Sequence, residues 1–510
     1  MSAEDKKKSA SEPGAKKAKK ARAAAAFDYR IPADSRWAGL WKIWAAVGVV
    51  GLVLAGVGYA TDETRFAFSY LFAFICALTL ALGSLFFIII ERFTSAGWSI
   101  TVRRIAEFFA SGFPALVVLF VPVLLCMGSL FPWLHEGKEA KAEHHETSLL
   151  DPLITSALAE EHAPGSPPAH PPPPAHLQGA QVSPLPGQAS PGARPAASSH
   201  PIPSAHPPRS EAGAAHGRGT AAREGEALEA QEEETMAKKA GYLNRNFFLA
   251  RVVIYFATWL FLAFRYFRLS TSQDASKDPA LTRQAQAFAP VATILFGLTL
   301  TFAAFDWVMS LDPSWFSTIF GVTFFAGCVV TIFAAVTVVA MAMREDGLVK
   351  TAITVEHFHD LGKLLFGFLV FWAYVSFSQF MLIWYAALPE ETIFYHHRWD
   401  NGPWAYVSLL IVIAHFIVPF FLLLSRNVKR RLPALRLGAV WLLVMHVVEI
   451  YWLVMPNYNH GESSVSWIDF ACLFGVVGIY LAVVFRNMTR YPLIPVGDPR
   501  LARSLAFQNE

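Results

Sequence analysis

Two histidines, an aspartate and a lysine stand together at His357-Phe358-His359-Asp360-Leu361-Gly362-Lys363, at the mouth of a strongly apolar run. The segment 371–385 then carries Tyr374, Ser376, Ser378, Gln379 and Tyr385 through its length. Polar groups in hydrocarbon each need a partner, and charges near the bilayer are costly, so such a cluster is a functional candidate. The alternative for His357 and His359 is an interfacial anchor whose charges sit in water. Asp360 and Lys363 lie further in.

A second pair sits deeper. In Val-Met-His446-Val-Val-Glu449-Ile-Tyr451-Trp452, the imidazole and the carboxylate are three residues apart and share one helical face. They could relay protons, lock two helices together, or serve a ligand. His415 falls near the middle of the preceding apolar run, and a short connection makes the two runs antiparallel neighbours, which could bring His415 and His446 close. Two mid-membrane histidines are also the ligand set of a b-type haem, although a multi-haem membrane cytochrome would show more of them.

Further candidates lie nearer the ends of apolar runs. Asp306, beside Trp307, is either the end of a proton exit route or a surface carboxylate, whereas Asp312 before Pro313 reads as turn chemistry. Glu107 follows Arg103-Arg104 by one turn and is expected to be neutralised by them. Arg251 needs a carboxylate partner unless it snorkels to the surface. Pro114 and Pro122 should kink their helix and free backbone carbonyls. No phosphate-binding loop, Rossmann glycine pattern or nucleophile elbow is present. The four cysteines (Cys76, Cys126, Cys328, Cys472) are scattered through apolar runs without the spacing of haem or iron–sulfur ligands.

The elements that must position these residues are membrane helices. The chain has 510 residues and 54% hydrophobic content, and its apolar runs approach the length of about 20 residues needed to span a bilayer. Ten are expected, near 38–60, 67–90, 105–131, 246–267, 288–310, 316–343, 361–387, 404–424, 436–455 and 467–486. The sequence therefore describes an all-α polytopic membrane protein. The first run is too long for a cleaved signal peptide and follows a basic stretch at 1–36, expected to be mobile and to touch anionic lipid.

Net charge is +3, and its placement is more informative than its size. Arg103-Arg104, Arg426 to Arg431, Arg490, Arg500, Arg503 and the N-terminal lysines fall on one side, and the short loops opposite hold almost no Lys or Arg apart from Arg65 and Arg398. The bias predicts that both termini, including the tail at 487–510, are cytoplasmic. The segments at 37–131 and 246–486 carry three and seven spans. Between them, 132–245 is rich in Pro, Ala and His and is expected to be a mostly disordered extracytoplasmic insert with a short helix near 225–240. Its histidines are too irregularly spaced for a metal-binding tract to be the leading reading.

Three segments together resemble a known family: Ala96 to Glu107, Leu300 to Phe316, and 357–385 continuing through Ala386-Ala-Leu-Pro-Glu-Glu391. They look like the ActF subunit of bacterial alternative complex III, a quinol:cytochrome c oxidoreductase of the respiratory electron transport chain. The likeness runs over most of 35–132 and 246–495 and leaves out the insert. It implies an NrfD-like fold of two four-helix bundles plus flanking helices in the bacterial inner membrane. It also implies a homologous partner, ActC, and iron–sulfur and haem c subunits that carry the electrons, so that this chain binds no redox cofactor of its own. Lipid, a quinone and a terminal oxidase are further candidate partners; nucleic acid is not.

On this reading a proton route would run from Asp360, Lys363 and Glu107, with His357, His359, Tyr374 and Ser376 as further polar groups. It would pass His415, His446 and Glu449 and end at Asp306. A purely structural membrane anchor and a secondary transporter are the competing classes; the latter would want paired broken helices around a central site.

Overall fold

The computed structural model describes residues 28–134, 234–400, 402–458 and 465–509. The basic stretch up to residue 27 and most of the insert lie outside the described residues. Among those described, ten helices are long and apolar enough to cross a membrane, and there is no strand. They are α1 (Arg36–Thr61), α2 (Glu63–Thr94), α3 (Ile100–Leu125), α4 (Arg245–Ser276), α5 (Pro279–Leu311), α6 (Phe320–Glu345), α7 (Val355–Ala386), α9 (Pro403–Leu424), α10 (Leu432–Asn457) and α11 (Trp467–Met488). A shorter helix, α8 (Pro389–Trp399), lies between α7 and α9.

Helices α2 to α5 pack as one four-helix group, and α6, α7, α9 and α10 as a second. The two groups meet along α2 and α6, whose most apolar stretches are each 83% buried. Helices α1 and α11 pair with each other and flank the first group. Their approach is close because Gly48 and Gly51 face Gly475 and Gly478; a Cβ on Gly51 would stand 2.4 Å from the Gly475 nitrogen. Small residues let membrane helices touch backbone to backbone, which replaces the hydrophobic drive that lipid cannot supply. The outward face of α1, including Val50 and Val53, stays exposed, as a lipid-facing surface should.

Proline sets where helices break. Helix α3 is interrupted before Pro114 and again before Pro122, giving the segments Ile100–Ala110, Phe113–Leu119 and Val121–Leu125. In α9 the π-helical turn Ile411–Ile417 precedes Pro419. Proline lacks the N–H that would bond the carbonyl four residues back, here that of His415, and its ring crowds that carbonyl. Widening the turn relieves both problems, and such π turns recur at functional sites. Trp441 on α10 donates its indole N–H to the Ala414 carbonyl at 2.7 Å, taking up a carbonyl from the altered turn.

The chain beyond α11 is not a loose tail. Leu493 and Ile494 are fully buried, Leu493 N–H donates to the Tyr29 carbonyl at 2.8 Å, and Asp498 enters a buried ionic network. The last turns of the insert are tied down as well: residues 234–239 are helical, and Lys239 donates to the carbonyls of Pro313 and Trp315.

Candidate functional site

Glu449 lies inside α10, one turn beyond His446, and gathers groups from four helices. Its Oε1 accepts the Trp372 indole N–H from α7 at 2.6 Å, and its Oε2 lies 2.9 Å from His446 Nδ1. His446 Nε2 meets Thr79 Oγ1 of α2 at 3.0 Å, and the Thr79 hydroxyl donates back to the Cys76 carbonyl at 2.9 Å. His415 of α9 places Nδ1 3.8 Å from Glu449 Oε2 and stacks on Trp372 with ring centres 4.1 Å apart. His415 is 0% exposed, and neither ring nitrogen has a hydrogen-bond partner among the described residues. Gly327 on α6 leaves the room this cluster needs, since a Cβ there would stand 3.2 Å from the His446 ring.

The cluster forms one wall of a cavity of about 500 Å³ between α6, α7, α9 and α10. Most of the lining is apolar and aromatic, including Phe324, Phe380 and Phe416. Polar atoms are few: Glu449 and His446 on one side, then Thr323, Ser376, Gln379, Tyr395 and Ser408. Ser376 Oγ is buried with no hydrogen-bond partner among the described residues. A mostly apolar hollow with a few convergent polar groups is the usual form of a small-molecule site.

Helix α8 closes one side of the cavity through Phe394, Tyr395 and Trp399. Arg398 latches it, with the guanidinium over the Phe394 ring and its N–H groups donating to the carbonyls of Phe394, Trp452 and Leu453. Burial pulls its pKa down to about 9, against the opposing charge of Asp312, so it stays cationic at neutral pH. Trp315 stacks on Phe394 at 4.1 Å and donates to the Glu391 carbonyl, holding the other end.

No family model matches this chain. No curated protein is similar to it in sequence either.

The remaining candidates fall into separate places. Asp306 is fully buried rather than wetted: Arg251 grips it through two N–H groups at 2.7 and 2.9 Å, and the Tyr255 hydroxyl adds a third bond at 2.6 Å. Glu107 accepts a hydrogen bond from Arg103 at 2.9 Å and forms an ion pair with Arg104 at 2.8 Å. That pair belongs to a wider network with Glu91, Arg92, Asp274, Asp498 and Arg500.

Asp360 forms an ion pair with Lys363, whose side chain is half exposed and reaches Asn509. His357 is not an anchor in water. It is fully buried, caps the start of α7 by accepting the Thr354 N–H, and contacts Ser504. His359 is buried with Nδ1 free of partners among the described residues. Tyr374 points away from the cluster and is 67% exposed.

The structure thus joins His415, His446 and Glu449 in one site, and leaves Asp306, Glu107 and the 357–363 group outside it. Sequence reasoning missed Thr79, Trp372, Asp498 and Asp469, the last buried with Arg65, Ser69 and Tyr451 around it. Threonine in an apolar helix satisfies its own hydroxyl on the preceding turn, so nothing in the sequence set Thr79 apart. For haem, His446 has both ring nitrogens already engaged and His415 lies flat on an indole, an arrangement that does not suit a bis-imidazole iron. No group of three His, Cys, Asp or Glu among the described residues is arranged to hold a metal ion.

Proposed function

We propose that this chain is a membrane subunit of a quinol:cytochrome c oxidoreductase of the alternative complex III type, in the ActF position, handling protons without a redox centre of its own. The observation that carries the proton reading is Glu449, buried at mid-helix between two histidines and opening on an apolar cavity. A carboxylate and an imidazole within hydrogen-bond reach can exchange a proton at low cost, whereas an isolated charge at that depth could not persist. The motif segments and the two four-helix groups support the family reading, with ActC and the iron–sulfur and haem c subunits as partners. The Lys/Arg bias supports an orientation with both termini cytoplasmic, and the family resemblance implies the bacterial inner membrane.

On this reading Asp360 and Lys363 sit at the cytoplasmic entry, and His415, His446 and Glu449 form the central station. Asp306 and Glu107, each saturated by arginine, hold helices together rather than carry protons. Glu449→Gln and Asp360→Asn should each lower the proton-to-electron stoichiometry of the complex in liposomes. An unchanged stoichiometry in both would reject the route.

The cavity favours a second occupant-based reading. Its size and its few polar groups suit the ring of a lipid-soluble quinone, with Glu449 as proton acceptor when a quinol is oxidised. A photo-reactive quinone analogue that labels α7 or α10 in competition with native quinone would support it, and labelling confined to other subunits would exclude it.

A further inference from the structure

The polar groups of the cavity differ in what they can offer a ligand. Glu449 lines the cavity while already accepting the Trp372 indole N–H on Oε1 at 2.6 Å. Its Oε2 lies 2.9 Å from His446 Nδ1, and a contact of that length holds one hydrogen between ring and carboxyl group, on whichever side it rests. The lone pairs left over on the two oxygens can only accept. Toward the cavity, Glu449 is an acceptor.

Ser376 stands one turn along α7 from Trp372, about 6 Å by helical rise, and lines the same hollow. A hydroxyl in an apolar helix commonly donates to the carbonyl one turn back, as Thr331 and Thr337 do on α6. Ser376 does not: its Oγ is buried with no hydrogen-bond partner among the described residues. It is free either to donate or to accept. The way in is lateral. Phe377 on α7 and Val412 and Ile417 on α9 line the cavity and are also exposed on the outside of the bundle. Val412 and Ile417 belong to the widened turn before Pro419, so the hollow opens between the two helices toward lipid.

We propose that this cavity takes the reduced form of a lipid-soluble quinone in preference to the oxidised form, admitting it from lipid between α7 and α9. This rests on the reading of the cavity as a quinone site. A quinol carries a hydroxyl on each side of its ring. One donates to Glu449, and the other pairs with Ser376, which accepts or donates as needed. A quinone carries two carbonyl oxygens, which only accept. Ser376 can still donate to one of them, but the other faces the Glu449 acceptor with no hydrogen between them. The apolar lining, including Phe324, Phe380 and Phe416, holds the ring without distinguishing the two forms. An unmade hydrogen bond beside a buried carboxylate sets the difference at about tenfold or more in Kd.

The test is equilibrium binding of a radiolabelled short-tailed benzoquinone and of its dithionite-reduced quinol to the full chain in anaerobic lipid nanodiscs, with protein-free nanodiscs subtracted. Wild type should bind the quinol tighter by about tenfold or more. In Glu449→Gln the Trp372 N–H holds the amide oxygen, so the amide nitrogen turns one hydrogen to His446 Nδ1 and the other to the cavity. That group donates, and the quinone should then bind about as tightly as the quinol. Ser376→Ala removes a hydroxyl that the fold does not use, and should weaken both forms by about fivefold with their ratio unchanged. Should the glutamine variant not fold, the wild-type ratio and Ser376→Ala decide the matter. Equal wild-type affinities, or a ratio that survives Glu449→Gln in a folded variant, would overturn the preference and leave a quinone site standing. Loss of the ratio in Ser376→Ala would likewise overturn it. No saturable binding of either form would overturn the quinone reading itself, so the two failures are distinct.

Discussion

Arg103 on α3 and Asp498 beyond α11 meet at 3.1 Å, and both side chains are completely buried. They stand 395 positions apart in the chain, and their meeting turns the C-terminal segment into part of the bundle. Arg92, Arg103, Arg104 and Arg500 share Glu91, Glu107, Asp274 and Asp498, so every charge in the network has an opposite neighbour.

Removing Asp498 leaves three arginines short of a partner. Breaking a buried ion pair from one side costs about 3–5 kcal/mol, because the remaining charge stays desolvated. Asp498→Asn should lower the melting temperature in detergent and expose the segment after α11 to proteolysis.

The same residue predicts a pH dependence. Burial pushes the Asp498 carboxyl up, but Arg103, Arg500 and Arg92 together hold it far below the ordinary aspartate range. A carboxylate with a depressed folded pKa adds stability above its unfolded value, near about 4, and loses it as pH falls through the folded one. The melting difference between wild type and Asp498→Asn should be constant from about pH 8 to 5 and shrink below about pH 4.

Arg251 and Asp306 tie α4 to α5 through two bonds, with Tyr255 adding a third. Arg251→Met and Asp306→Asn should each destabilise by about 3–5 kcal/mol, and the double variant by much less than the sum. Additive losses in a double-mutant cycle would mean that the two do not act as a pair.

The seam between α1 and α11 depends on missing side chains. A Cβ on Gly51 would collide with backbone atoms of Gly475, which cannot rotate away. Gly51→Val should cost about 1–3 kcal/mol or more and separate the two helices. Weakened disulfide crosslinking between cysteines placed along the seam would report that separation.

His415 offers a cleaner test of function against packing. His415→Phe keeps a ring on Trp372 and removes two buried nitrogens that lack partners, so stability should hold or rise by about 1 kcal/mol. Proton turnover should fall. Full turnover in this variant would assign His415 to packing alone.

Much of the arrangement is legible in the sequence. His446 and Glu449 share a face because helical period puts residues three apart together, and short connections make antiparallel neighbours, which places His415 near them. Glu107 was expected to be neutralised by its adjacent arginines, and it is. Arg251 needs a carboxylate unless it snorkels to the surface, and the sequence does not single out Asp306 as its partner, because the two residues lie on different helices.

Hydropathy and periodicity are local averages, and a bilayer reads them directly: about 20 apolar residues must cross as a helix whatever surrounds them. That is why the sequence alone determined the fold class and the ten spans. Which buried charge meets which, and which hydroxyl meets His446, depends on the rotation and contact of helices far apart in the chain. Only the tertiary structure could therefore pair Arg103 with Asp498, bury Asp306 against Arg251, and bring Thr79 and Trp372 to the histidine and carboxylate at the edge of the cavity.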